Sequence, residues 1–254
     1  MTIDTIILIS LFILGSSLAS FFVCTINNPI KSFSLKGRSQ CDHCSKVLGT
    51  FNLIPIISYI YQQGSCNYCH KKLDIYYLIS EIFMGTCLSL IWFITSHQSL
   101  EIQIVLILIF MSFCYVIFLD WQKMLISMPI LILIFFLSVL LWVLEDNYSK
   151  HIFFLKFLGL FFGYFSLWTI NKIYKFIRKR DGIGDGDPIL FGIIGFFLTI
   201  EFLFFTLTIS AILGAVYGLM LIKYKKGALS DPLPFGSFLG IGTIIIYCTK
   251  TLYL

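Results

Sequence analysis

Charge is scarce in this chain, so its few carboxylates stand out. Asp120 closes a long apolar run in FLDWQKMLISMP. Asp181, Asp185 and Asp187 sit among glycines in RDGIGDGDPILFGIIG, residues 180–195, and another apolar run follows at once. By the topology argued below, Asp120 and Asp185 lie at the same membrane border, so their carboxyl groups can meet. Two acids sharing a site cannot both ionise cheaply, so one keeps a proton that the other has lost. Such a pair can take a proton from a water and return one to a leaving group. Gly182, Gly184 and Gly186 would let an extended peptide backbone approach closely. The expectation is an acid–base pair, Asp120 and Asp185, acting at a membrane surface. An Asp at a helix end is more often solvated or a cap. Asp187, followed by Pro188, fits that reading as an N-cap with proline at the first helical position. Asp181, near Lys172, Lys175, Arg178, Lys179 and Arg180, reads as a solvated partner of that basic run.

A second set of reactive groups is CDHC, Cys41 and Cys44, with CNYC, Cys66 and Cys69. Two short knuckles can bring four thiolates to one tetrahedral Zn²⁺. Two disulfides are the competing arrangement. The topology puts this loop in a reducing compartment, where lasting disulfides are rare, which favours metal. His43 and His70 flank the knuckles as substitute ligands. Four thiolates suit a closed structural site rather than a catalytic one. Cys24, Cys87, Cys114 and Cys248 fall in or near apolar runs and read as small buried groups.

The elements that must carry these residues are membrane helices. The chain has 254 residues, 58% hydrophobic and 12% charged, and a mean hydropathy of +0.93. Soluble domains are nearer half apolar and a quarter charged. About eight spans are expected, near 4–24, 77–96, 101–119, 126–144, 152–171, 188–200, 202–222 and 236–253, with the break after the sixth at Thr199 to Glu201. The first run lacks a basic n-region and a small-residue cleavage site, so it reads as a retained helix. With eight spans, 15 of the 18 Lys and Arg residues fall in segments on one face. That face is then cytoplasmic and the N-terminus is outside. The expected organisation is a first helix at 1–24, a cytoplasmic four-cysteine module at 25–76, and a helical bundle at 77–254. The fold class is all-α integral membrane. Topology already explains the basic rim, so no nucleic-acid partner is expected; the lipid bilayer is.

The motifs taken in order resemble the bacterial type IV prepilin peptidases, membrane aspartic proteases of the GxGD kind. GSSLASF (Gly15 to Phe21) is similar to the family's opening G-S-F-L. RSQCDHC matches the start of its zinc module, NLIPIISY (Asn52 to Tyr59) its L-I-P segment, and Gly64 with Cys66 its G-x-C. In YYLISE, Tyr77 and Glu81 fit, while Tyr76 and Leu78 stand where Arg and Pro are usual. Asp120 begins D-x4-[LI]-[LI], with Ser127 where Pro is typical. Gly182, Gly184 and Asp185 supply GxGD, and LPFGSFLG (Leu233 to Gly240) matches P-F-G-x-F-L. The resemblance implies cleavage of the short basic leader of prepilins or competence pseudopilins at the cytoplasmic face of a bacterial cell membrane. Asp120 and Asp185 would be catalytic, with Gly182, Gly184, Pro234, Phe235 and Gly236 shaping the site. Cys41, Cys44, Cys66 and Cys69 would hold structural Zn²⁺. N-methylation of the new amine from S-adenosylmethionine often follows in that family, and Glu81 falls in the half of the chain tied to it. Two other classes compete: a transporter, which predicts ionisable groups at mid-membrane, and a scaffold with a zinc interaction module, which leaves the GxGD and P-F-G motifs without a task.

Overall fold

The computed structural model describes residues 3–27, 40–41, 43–145, 150–179, 182–225 and 232–253. Arg38, Arg180 and Asp181 lie outside the described residues. The chain divides into two compact units, Met1–Phe93 and Ile94–Leu254.

In the first unit, α1 (Ile3–Asn27) and α3 (Ile75–Ile94) are long and apolar enough to cross a membrane. Hydroxyls bind them together. Ser16 Oγ donates to the Glu81 carbonyl at 3.0 Å, and Ser89 Oγ to the Leu8 carbonyl at 3.0 Å. In lipid, such bonds and close packing replace the hydrophobic drive between helices. Between the two helices the chain forms the cysteine knuckles, a 3-10 turn (Thr50–Leu53) and the short α2 (Ile57–Tyr61).

The second unit contains α4 (Leu100–Lys123), α5 (Met128–Leu144), α6 (Lys150–Arg178), α7 (Gly186–Leu198), α8 (Ile200–Lys225) and α9 (Phe235–Tyr253). All eight expected apolar runs are helices. Six have the length and composition to span, while α5 and α7 are shorter, at 17 and 13 residues. At 1.5 Å per residue α7 covers about 20 Å, short of a bilayer core of about 30 Å. It ends where expected, at Thr199, whose φ of 77° breaks the helix and whose N–H donates to the Gly195 carbonyl. Backbone groups freed at such a break need partners in lipid. Lys156, buried on α6, reaches the Phe196 carbonyl at 3.5 Å.

Two features fix α7 in place. Gly159 of α6 faces Gly195 of α7 so closely that a methyl group on either would strike the other's carbonyl. The second is a buried aromatic cluster. Phe110 of α4, Phe197 of α7 and Tyr247 of α9 have ring centroids 4.9–5.9 Å apart. Each ring lies ten residues along its helix from Asp120, Asp187 and Ser237 respectively, a rise of about 15 Å. Helix α4 meets the cluster before its acid; α7 and α9 meet it after. The three helix ends therefore converge, α4 by its C-terminus and the others by their N-termini.

Candidate active site

Asp120 stands in the last turn of α4. The helix stops at Met124, in the left-handed conformation (φ 52°), whose N–H donates to the Asp120 carbonyl at 2.8 Å. The chain then turns through Leu125 and Ile126 into α5. Ile126 packs against Gly186 and Gly236, where added Cβ atoms would lie 2.8 and 2.9 Å from its side chain. The second half of D-x4-[LI]-[LI] thus wedges apart the N-termini of α7 and α9.

The Asp120 carboxyl is 5% exposed. Its Oδ2 accepts the Ser237 N–H at 2.6 Å. The Ser237 hydroxyl lies 3.0 Å from both that oxygen and the Ile117 carbonyl, and donates to one at a time. Ser237 is in the first turn of α9, so the positive end of that helix also faces the acid.

The partner brought to Asp120 is Asp187, not Asp185. Asp187 is 5% exposed, and its Oδ2 accepts the Gly184 N–H at 3.0 Å. Its Oδ1 is buried without a hydrogen-bond partner. A Cβ placed on Gly236 would lie 3.1 Å from Asp120 Oδ2 and 3.1 Å from Asp187 Oδ1. The two oxygens are therefore at most about 6 Å apart, a gap that one water can bridge with ordinary hydrogen bonds. Only glycine leaves that space open.

Asp185 is exposed at the N-cap position of α7 and makes no side-chain cap bond. The expected positions of the two acids are exchanged: Asp185 stands on the helix cap, and Asp187 faces Asp120. The helix begins at Gly186, so Asp187 is its second residue and Pro188 its third. Its first turn is buried, and that burial carries the Asp187 side chain inward.

The other expected loop residues are distributed as follows. Gly182 and Ile183 donate their N–H groups to Asn171 Oδ1, both at 3.1 Å, which ties the loop to the end of α6. Gly184 holds Asp187. Pro234 is buried and Phe235 half-buried where the chain enters α9. The sequence gives Asp187 a capping role and does not single out Ser237 or Ile126, which the structure puts beside the two carboxyls. A signal for Asp187 was present: Gly184-Asp185-Gly186-Asp187 repeats the G-x-G-D pattern two residues later. Asp187 also stands three, four and seven positions before Leu190, Phe191 and Ile194, on one helical stripe.

In the first unit the two knuckles are the same turn used twice. Cys41 N–H donates to Lys46 O and Ser45 N–H to Cys41 O; Cys66 N–H donates to Lys71 O and His70 N–H to Cys66 O, all at 2.9–3.0 Å. Ser45 and His70 hold matching left-handed φ values of 55° and 56°. The four Sγ atoms lie within 4.8 Å of one another, and Cys41 and Cys69 are 4.0 Å apart. The backbone N–H of Tyr68 helps draw the Cys66 thiol down to about 7. The Lys71 N–H pulls Cys69 the same way, but burial and the neighbouring thiols push it up to about 11. Four thiols this close cannot all lose their protons without a cation among them, so the group could hold a metal ion as thiolates. The group is purely cysteine among the described residues; His43 and His70 are not in it.

Glu81 is also buried, 6% exposed. Its Oε2 accepts the Ile56 N–H at 2.7 Å. Ile56 has φ 64°, a rare conformation for a β-branched residue. Glu81 lines a cavity of about 310 Å³ with residues of α1, α3 and the segment between them.

Comparison with known sequences gives a consistent result. Residues 13–95 match the Bacterial Peptidase A24 N-terminal domain, and residues 105–219 match the Type IV leader peptidase family. The second match contains both Asp120 and Asp187. A Bacillus subtilis (strain 168) protein named prepilin leader peptidase/N-methyltransferase is 32% identical, over 93% of this chain and 92% of that one. Proteins of the same name from Burkholderia pseudomallei (strain 1026b) and Pseudomonas putida are 30% and 25% identical, over 81% and 80% of this chain and 65% and 69% of theirs. No solved structure matches. With acids paired at converging helix ends, a four-cysteine module and a near full-length relative at this identity, the chain belongs to the type IV leader peptidase family.

Proposed function

We propose that this multi-pass membrane protein removes the leader from prepilin or pseudopilin precursors, using Asp120 and Asp187 as its acid–base pair. The observation that carries this reading is the approach of the two buried carboxyls across Gly236. One proton is shared between them. The ionised member takes a proton from the water between them. The resulting hydroxide adds to the carbonyl carbon of the scissile peptide. The protonated member then gives its proton to the departing nitrogen, the C–N bond breaks, and an acid and an amine result. The Gly184 and Ser237 N–H groups keep the carboxyls oriented, and the unpartnered Asp187 Oδ1 supplies an acceptor for the water.

The four cysteines hold one Zn²⁺ as a structural ion that ties the two knuckles together. The charge asymmetry of the sequence supports a cytoplasmic position for the module and the carboxyl pair, with the N-terminus outside. N-methylation of the freed amine, as the relatives' name indicates for them, is the second activity, with S-adenosylmethionine as methyl donor.

Co-expression with a leader-bearing pseudopilin tests the central claim. Cleavage should appear as a smaller pseudopilin on a gel, with the new N-terminus confirmed by mass spectrometry. An uncut precursor beside well-expressed, membrane-inserted enzyme would overturn it.

A further inference from the structure

The stretch 51–62 of the first unit is built inside out. Phe51, Ile57, Ile60 and Tyr61 are 63–83% exposed, and Leu53 and Ile54 are exposed beside them. The polar residues of the same stretch face the other way. Gln62 is buried, Asn52 and Ser58 are half-buried, and all three line the cavity of about 310 Å³ that Glu81 also lines. Gln62 Nε2 and Asn67 Nδ2 both donate to Asn52 Oδ1, at 3.3 and 3.0 Å. A segment bathed in water shows the reverse pattern, with its polar side chains outward. An exposed patch of large apolar side chains needs a cover.

Depth says what that cover is. The Ile56 N–H donates to Glu81 Oε2 at 2.7 Å. Glu81 is six residues past the start of α3, about 9 Å along that helix. At 20 residues, α3 is just long enough to cross a bilayer core. A helical side chain leans toward its own N-terminus, so the bond holds Ile56 level with the first two turns of α3 and not beyond its end. The short α2 begins at the next residue. The segment therefore lies beside a spanning helix at the depth of the membrane interface. Its backbone suits that place. The N–H groups of Ile56, Ile57, Ser58, Ile60, Gln62 and Gln63 all have acceptors within the chain, as backbone in lipid requires. Lys71 and Lys72, exposed just before α3, stand where lipid phosphates would be.

We propose that the stretch from Phe51 to Tyr61 is an interfacial anchor, a re-entrant segment whose exposed apolar side chains lie among lipid acyl chains. The partner is the bilayer itself, and its anionic headgroups meet Lys71 and Lys72. The cysteine knuckles, whose exposed residues include His43, Ser45 and Lys46, stay on the water side. The four-cysteine module is then held to the membrane by α1, by α3 and by this segment between them. Asn52, Ser58 and Gln62 turn inward because lipid covers the other side. Amphipathic segments of this kind bury their apolar face about 5–10 Å into the boundary of headgroups and acyl chains, a range that includes the level of the Glu81 bond. The anchor does not depend on what the enzyme cleaves, so it stands apart from the leader-peptidase reading.

The test uses the full chain in vesicles of phosphatidylethanolamine and phosphatidylglycerol. Ile60→Trp and Tyr61→Trp each add one indole to the four native tryptophans. His43→Trp, on the exposed CDHC turn, is the water-side reference. Emission is compared with wild type in vesicles with brominated acyl chains and, separately, with iodide in the water. Brominated lipid should remove most of the emission added at 60 and 61, and iodide should leave most of it. At 43 the order should reverse. Stronger quenching by iodide than by lipid at 60 and 61 overturns the proposal. Protection from both quenchers also overturns it and assigns the patch to a protein cover. A second measurement needs no variant. In wild-type protein, a phospholipid carrying a diazirine on its acyl chain should leave photo-adducts within 51–61, mapped by mass spectrometry, and none within 43–46. Adducts on α1 and α3 with none within 51–61 would overturn the anchor even where a tryptophan variant fails to fold.

Discussion

The cysteine knuckles and the aspartate pair are both clusters of like groups, but they are built in opposite ways. Each knuckle is local. Two cysteines two residues apart are set by one turn whose hydrogen bonds begin and end within a few residues. The same turn occurs at 41–46 and at 66–71, so little more than apposing two ready-made halves remains for the tertiary fold. The aspartates have no such local frame. Asp120 and Asp187 come from different helices, and Ser237, which holds Asp120, comes from a third. Their meeting depends on an aromatic cluster about 15 Å away and on a glycine contact between α6 and α7. Local clusters survive small changes elsewhere, whereas assembled ones respond to any shift of a supporting helix.

The largest effect should come from the acids. Asp120→Asn or Asp187→Asn should each lower leader cleavage about 1,000-fold or more, because neither can exchange a proton. The double variant should be no worse than either single one, since the pair acts as a unit. Initial cleavage rates in membranes with matched enzyme amounts measure this, and normal cleavage by Asp187→Asn would remove that acid from the site.

The module should break differently. Wild-type protein should carry about one zinc per chain, and Cys41→Ser should lose most of it, since a structural site needs all four ligands. Cleavage should fall by a smaller factor than with the acid variants, because the aspartates belong to another compact unit. Metal analysis and cleavage assays on one preparation make the comparison. A collapse of cleavage to the level of Asp187→Asn would show that the units are not separable in function.

Gly236→Ala sharpens the contrast from the other side. It inserts one methyl group 3.1 Å from an oxygen of each acid. Cleavage should fall by about 10- to 100-fold, on the scale of small misplacements in catalytic sites, with zinc content and membrane insertion unchanged. The smallest effect should be that of Asp185→Asn, which alters an exposed residue two positions from the pair. Its rate should stay within about threefold of wild type, since Asn serves an N-cap position about as well as Asp. A loss as deep as that of Asp187→Asn would return Asp185 to the chemistry.

Features that depend on local pattern or bulk composition were legible before any fold was known. Long apolar runs can be satisfied in lipid only as helices, so the eight helical segments and the break at Thr199 were legible. Paired C-x-x-C turns are legible for the same reason, because their geometry is closed within six residues. Asp120 was legible as a lone acid ending an apolar helix. The choice between Asp185 and Asp187 was not, since two overlapping G-x-G-D patterns satisfy the same motif. What separates the two acids in the structure is where α7 starts. Starting at Gly186 leaves Asp185 outside on the cap and puts Asp187 in the first buried turn, beneath α9 and facing Asp120. A helix start is fixed by what its first turn packs against, here Ile126 and Gly236, and those residues lie far away in the chain. The tertiary structure also decided Ser237 and the opening at Gly236. Each matters through a neighbour about 50 to 120 positions distant, and no window of sequence contains that neighbour.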